Sequence, residues 1–175
     1  MALSRRNIIF LSGATLASLV IGNGYWRNRW TYIVIHHSAG TFGNINFLQQ
    51  VHRQRQARDP IDAIPYHYVI GNGNGLGMGE VASDWRQSGQ LWGAHVSANN
   101  WDKNWKGIGI CLIGNFEQHP VPPAQYRALV KLTKALMNRY VITADRVNGH
   151  GYLDGESTLC PGQHFPMDRF RREIA

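Results

Sequence analysis

Near the end of the chain, the stretch Val147 to Gly162, VNGHGYLDGESTLCPG, carries a histidine and a cysteine on either side of a flexible polar loop. His150 and Cys160 lie ten positions apart, Gly149 and Gly151 flank the histidine, and Pro161-Gly162 turns the chain directly after the cysteine. Turns of that kind let both side chains reach one point, and an imidazole with a thiolate is a donor pair suited to zinc. A structural zinc site takes four protein ligands, usually in short-spaced pairs, whereas a catalytic one takes three and keeps a position for water. The loop supplies two. Either a third donor comes from elsewhere, or the pair is ordinary: an isolated Cys is commonly a small buried hydrophobe and an isolated His a hydrogen-bonded surface or core residue.

The elements that would carry a third donor are legible from the hydrophobic pattern. Trp30 to His36, WTYIVIH, is rich in β-branched and aromatic residues and predicts a buried strand. It ends in two histidines, and because neighbouring strand residues face opposite sides, His36 and His37 cannot both point into one site. Ile45 to Arg58 places Phe47, Leu48 and Val51 at helical spacing among Arg and Gln, a surface helix closed by Asp59-Pro60. Pro65 to Ile70, PYHYVI, predicts a second strand. The GNGNGLG after it invites a phosphate-loop reading, but MGEVA then looks like another strand rather than a helix N-terminus, so the glycines predict a hairpin turn. Gly107 to Gly114, GIGICLIG, reads as a central strand covered on both faces. Pro123 to Tyr140 predicts a long amphipathic helix with prolines at its start, and Met167 to Ile174 a short terminal one. Together these predict one α/β domain: a central mixed sheet flanked by about three helices.

Length and charge limit what such a domain does. With 175 residues there is room for one domain with a real core. The net charge of +7 is uneven: Arg5, Arg6, Arg27 and Arg29 meet no acid before Trp30, which leaves 14 basic against 11 acidic side chains for the rest. A mildly basic domain argues against nucleic acid as partner, which would call for a clustered Lys/Arg stripe, and permits an anionic polymer. Residues 1–24 read as a separate export signal or N-terminal anchor: Arg5-Arg6 precedes an apolar run, Ile8 to Ile21, that is short for a membrane span and resembles a twin-arginine signal. No clean A-x-A cleavage site follows, so an uncleaved anchor is the alternative. Either way the domain is expected outside the cytoplasm, periplasmic or extracellular, with contact to a membrane only through that segment. Two cysteines allow one disulfide, but Cys111 sits inside the apolar GIGICLIG strand and Cys160 in the candidate metal loop, so none is expected.

Taken in order, YIVIHHSAG, IPYHYVI with its glycine turn, WGAH with Asn100 before GIGICLIGN, then GH and CPG resemble the zinc-dependent N-acetylmuramoyl-L-alanine amidase family, which includes amidase-type phage lysozymes and peptidoglycan recognition proteins. The resemblance runs from about Trp30 to the C-terminus. It implies that His36 is the third donor and that His36, His150 and Cys160 hold one zinc ion in a surface groove. It implies a domain spanning residues 30–175 that cleaves the amide between N-acetylmuramic acid and L-alanine by zinc-activated water, with peptidoglycan or muropeptides as partner. A non-catalytic peptidoglycan-binding module is the alternative, although such relatives tend to lose the ligand cysteine that this chain keeps. The resemblance further matches Tyr66 to a catalytic-member tyrosine. Since phenols ordinarily ionise near ~10, it is cast as a hydrogen-bond donor to the water or oxyanion, with a packed groove wall as the other role. Thr158, two residues before Cys160, is matched to an oxyanion donor or a cap on its own loop. His95 of WGAH is matched to a substrate contact; the segment Glu80 to Gln90 departs from the family pattern, and its Trp85 is an aromatic that could still stack on a sugar or peptide face.

Overall fold

Five strands, β1 (Tyr32–His37), β2 (Tyr68–Ile70), β3 (Val81–Ser83), β4 (Gly107–Leu112) and β5 (Val147–Gly149), share one mixed sheet in the order β3-β2-β4-β1-β5. In this computed structural model, which describes Gly24, Trp26, residues 29–55 and residues 63–175, β2, β4, β1 and β5 run parallel and β3 pairs antiparallel to β2. Nearly all of the expected export segment, and the expected helix end past Arg55 with Asp59-Pro60, lie outside the described residues. Among the described residues there are five α-helices, not about three: α1 (Ile45–Arg55), α2 (Trp85–Ser88), α3 (Trp101–Lys106), α4 (Pro123–Tyr140) and α5 (Met167–Ile174). The two additional ones have four and six residues, too few to show a 3.6-residue period in sequence.

The strands' two faces do different work. On β1 and β4 the alternation sends Ile33, Ile35, Ile108, Ile110 and Leu112 into a dry core with Leu129 and Leu136 of α4 and Phe170 and Ile174 of α5. The other face packs Val69 with Leu48 of α1, Ile64 and Ile113 in a smaller cluster. On that face β4 offers only Gly107, Gly109 and Cys111, which leaves room above the sheet for polar side chains. GIGICL is therefore buried on both sides, as its apolar run predicts, but by unlike neighbours. The glycine turn after β2 is a hairpin: Gly71 donates to the Glu80 carbonyl at 2.9 Å, and the Gly79 amide returns to the Gly71 carbonyl at 2.8 Å.

Helix α4 begins on prolines and stops at Val141, a left-handed residue whose amide donates to the Met137 carbonyl. Its buried Gln125 donates to the carbonyls of Ile70 and Ile113 at 2.9 and 2.8 Å, which ties the helix to the carboxyl ends of β2 and β4. The segment Glu80 to Gln90 is pinned by Arg86, fully buried, whose guanidinium donates to the carbonyls of Ile64 and Trp92.

Candidate metal centre

Parallel α/β sheets present ligands beyond the carboxyl ends of their strands, and here that end is where β1 and β5 finish. The register pairs Ile35 with Gly149, so the next residues along, His36 and His150, emerge side by side with ring centroids 4.7 Å apart. Cys160 returns to the same point because its loop doubles back tightly. The Gly151 amide donates to the Cys160 carbonyl at 2.6 Å, and a Cβ on Gly151 would lie 2.2 Å from the Thr158 carbonyl oxygen, so only glycine fits there.

One ligand atom from each of His36, His150 and Cys160 lies within 4.8 Å of the others, and His36 Nδ1 is 3.7 Å from Cys160 Sγ. Tetrahedral zinc with bonds of about 2.0–2.1 Å to nitrogen and 2.3 Å to sulfur would separate the two by about 3.5 Å. The chemistry of the set fits as well as the spacing. Burial, aided by the neighbouring histidines, holds the His36 imidazole well below its ordinary value and therefore neutral. Burial also pushes the Cys160 thiol up to about 12, so that it needs a nearby cation to ionise. The His37 backbone amide, donating to Cys160 Sγ at 3.4 Å, is already aimed at the sulfur. His37's own ring turns to the other side: its Nδ1 accepts from the Phe116 amide at 3.2 Å and its Nε2 lies 3.8 Å from a Glu117 carboxylate oxygen.

The three donors open on a cavity of about 460 Å³ whose lining includes Tyr66, His95, Glu156 and Thr158, with Leu48, Val51 and His52 of α1 opposite. Tyr66 precedes β2 rather than opening it. Its ring centroid is 5.1 Å from that of His36, and its side chain hydrogen-bonds the Cys111 thiol, which burial drives far up. The Thr158 hydroxyl accepts from the Cys160 amide at 3.2 Å.

His95 lines the cavity from a nearly buried position behind His36. It is 6% exposed, with Nδ1 3.1 Å from His36 Nε2. Its ring fits between two glycines: a Cβ at Gly93 or Gly109 would come within 2.2 or 2.7 Å of His95 Cδ2. Burial keeps this ring neutral too. His67, one residue after Tyr66, faces away and accepts from the Gly109 amide at Nδ1, with Nε2 2.9 Å from the Leu91 carbonyl; burial lowers it to about 3. Trp85 does not line the cavity. It is half-exposed on α2, just past the edge strand β3, where Asp84 and Arg86 bind that segment to Ile64.

Sequence reading passed over two residues. Glu156, in the loop between the two donors, has its side chain buried, with Oε2 3.0 Å from His150 Nε2. Its Oε1 accepts from the Ser97 amide at 3.0 Å, the Ser97 hydroxyl at 2.8 Å and Asn100 Nδ2 at 2.9 Å. Burial raises this carboxyl, and those hydrogen bonds outweigh it and bring it below its ordinary value. Asn104 fixes the His95 segment, its Oδ1 accepting from the amides of His95 and Val96. The sequence signal for Glu156 is weak, one of two acids between the donors with Asp154, and its partners Ser97 and Asn100 are more than fifty residues away.

A model of the N-acetylmuramoyl-L-alanine amidase family matches residues 26–163. Peptidoglycan-recognition protein SC2 of Drosophila melanogaster is 29% identical over 177 residues, covering 89% of this chain and 86% of that protein. The 1,6-anhydro-N-acetylmuramyl-L-alanine amidase AmpD of Haemophilus influenzae is 40% identical over 68 residues, 38% of this chain and 36% of its own. Among solved structures, the N-acetylmuramoyl-L-alanine amidase LysC from Clostridium intestinale URNW superposes with a TM-score of 0.69 at 26% identity, covering 85% of this chain and 87% of that one.

Proposed function

Since this chain belongs to the N-acetylmuramoyl-L-alanine amidase family, we propose that it is a zinc-dependent peptidoglycan hydrolase cutting the amide between N-acetylmuramic acid and L-alanine. The observation that carries this reading is the convergence of His36, His150 and Cys160 within 4.8 Å at the floor of a cavity large enough for a sugar–peptide junction. Two neutral imidazoles and one thiolate would hold the ion with a net positive charge and a remaining coordination position. Bound there, zinc supplies Lewis acidity toward the scissile carbonyl and brings the pKa of water toward ~7.

The chain's own residues do the rest. Leu48 and Val51 form an apolar wall that excludes water on one side of the substrate, and Tyr66 and Thr158 stand at the donor cluster. Their hydroxyls donate hydrogen bonds to the carbonyl oxygen as charge collects on it, Thr158 keeping its proton for this because its oxygen already accepts from the Cys160 amide. The AmpD relative is named for a 1,6-anhydro-N-acetylmuramyl substrate, which supports muropeptides as well as polymer among the compounds to test.

The likeness to a recognition protein over most of the chain favours a second reading, binding without turnover. One experiment separates them: zinc analysis of the purified protein, with mass spectrometry of peptidoglycan after incubation. Stoichiometric zinc with stem peptides bearing free L-alanine amino termini is expected; bound but uncut peptidoglycan would establish the recognition module instead. Export is a separate proposal resting on Arg5-Arg6 before the apolar run. Changing both to lysine should leave the protein in the cytoplasm, and normal export of that variant would remove the twin-arginine reading alone.

A further inference from the structure

The three-donor reading leaves unused a buried carboxylate in the cavity wall whose hydrogen bonds are all specified. Glu156 keeps its side chain 4% exposed and, among the described residues, accepts at Oε1 from three donors and turns Oε2 to Nε2 of His150. We propose that Glu156 is the positioning residue for His150: it fixes the ring as the Nε2–H tautomer and leaves the Nδ1 lone pair as the one aimed at the metal.

Oε1 already accepts from three donors, the pattern of an ionised carboxylate, which can only accept, so the hydrogen of the His150–Glu156 bond is the ring's own N–H. A neutral ring with a proton on Nε2 has its lone pair on Nδ1, and a carboxylate at the far nitrogen both orients the ring and makes that lone pair more basic. His150 is in special need of this. It has left β5 and opens a single 3-10 turn, His150–Tyr152, partly exposed, where no strand pairing sets its orientation.

Substitution by glutamine turns the geometry into a test. Three donors converge on the Oε1 position, which accommodates the amide oxygen and not the amide nitrogen. In Glu156→Gln the NH2 must therefore meet His150 Nε2, which then becomes an acceptor and drives the ring proton onto Nδ1, the nitrogen the metal requires. The clamp to Ser97 and Asn100 survives while the tautomer reverses.

The proposal depends on the zinc reading only for what His150 serves, and the measurements keep the two apart. Long-range 1H–15N spectra of the full chain labelled at histidine nitrogen report the tautomer, with metal stripped and with zinc added. Competition with a chromophoric chelator reports zinc affinity. Wild type should show His150 protonated at Nε2 in both spectra. Glu156→Gln should show it protonated at Nδ1 when metal-free, melt at the wild-type temperature, and bind zinc about 10–100-fold more weakly. An Nδ1–H ring in the wild type overturns the proposal without any variant being needed. So does a folded Glu156→Gln whose zinc affinity lies within twofold of a zinc-binding wild type, the result expected if Glu156 only clamps the loop. A wild type that binds no zinc but shows the tautomer reversal would end the zinc reading and leave the positioning of His150 standing.

Discussion

His36 and His150 offer a nitrogen to the same point, but one is held by the sheet and the other by a side chain. His36 stands on β1 between β4 and β5, is 1% exposed, and has a neutral partner, His95, behind it. His150 follows β5 by one residue, keeps about a fifth of its side chain in solvent, and has a carboxylate behind it. Strand pairing fixes a backbone without any charged group, so a neutral hydrogen-bond partner suffices for His36. A residue past the strand end lacks that restraint, and the anionic clamp supplies it. The difference shows how a metal site can be built half from register and half from hydrogen bonding.

The most severe change removes the vertex common to both. Cys160→Ser replaces a soft thiolate by a harder and far less acidic hydroxyl, and zinc affinity should fall by more than the about 10–100-fold that loss of an outer partner costs. Turnover should vanish with it. Metal analysis and peptidoglycan digestion check this, and full zinc with wild-type turnover would mean that neither histidine shares a site with Cys160.

A histidine held purely by backbone should behave as a stability element. Burial lowers His67 from 6.5 to about 3, so the unfolded chain takes up a proton that the folded one refuses. Its contribution is present above pH 6.5 and is lost as pH falls toward 3, on the order of 5 kcal/mol for one such group at about 1.4 kcal/mol per pH unit. Urea unfolding of the metal-free protein at pH 7, 5.5 and 4 should show a steady loss; a flat profile would mean the ring is not kept neutral.

Tyr66→Phe keeps the ring beside His36 and deletes one donor. It should lower kcat on a soluble muropeptide by about 10² to 10³ with little change in KM and unchanged zinc. A kcat within threefold of wild type would reduce the phenol to packing and leave Thr158 as the remaining hydroxyl donor.

His95→Asn sharpens the opening comparison most directly. Because the sheet already holds His36, zinc affinity should drop only about tenfold, near the lower limit for an outer partner and less than for Glu156→Gln. A larger loss would show that His36 depends on its partner as much as His150 does. Smallest of all is Trp85→Ala, which removes an aromatic outside the cavity. It should leave kcat/KM within about twofold, worth under ~0.5 kcal/mol, and a tenfold fall would extend the substrate surface across the edge strand.

Much of the site was legible because its parts are local. WTYIVIH and GIGICL carry strand patterns that any neighbours would have to respect, the loop glycines allow one tight return, and the ordered motifs place His36, His150 and Cys160 as candidates. What no local pattern carries is pairing. That β5 lies against β1 so that His36 meets His150, 114 positions away, follows from the register of two parallel strands, which is chosen by the sum of core contacts across the whole sheet. The same global choice sends His95 beneath His36, where a histidine in WGAH reads equally well as a surface contact, because only the folded sheet brings Gly93 and Gly109 to either side of its ring. Glu156 stayed hidden for the same reason, its meaning depending on Ser97 and Asn100 across the cavity. Trp85 lies outside the cavity, a placement the sequence does not show, because the buried Arg86 that draws its segment to Ile64 looks, in sequence, like any solvated charge. Residue type and spacing determined which groups could do the chemistry. The tertiary structure decided their partners, because hydrogen bonds between distant segments exist only once the sheet has set the distance between them.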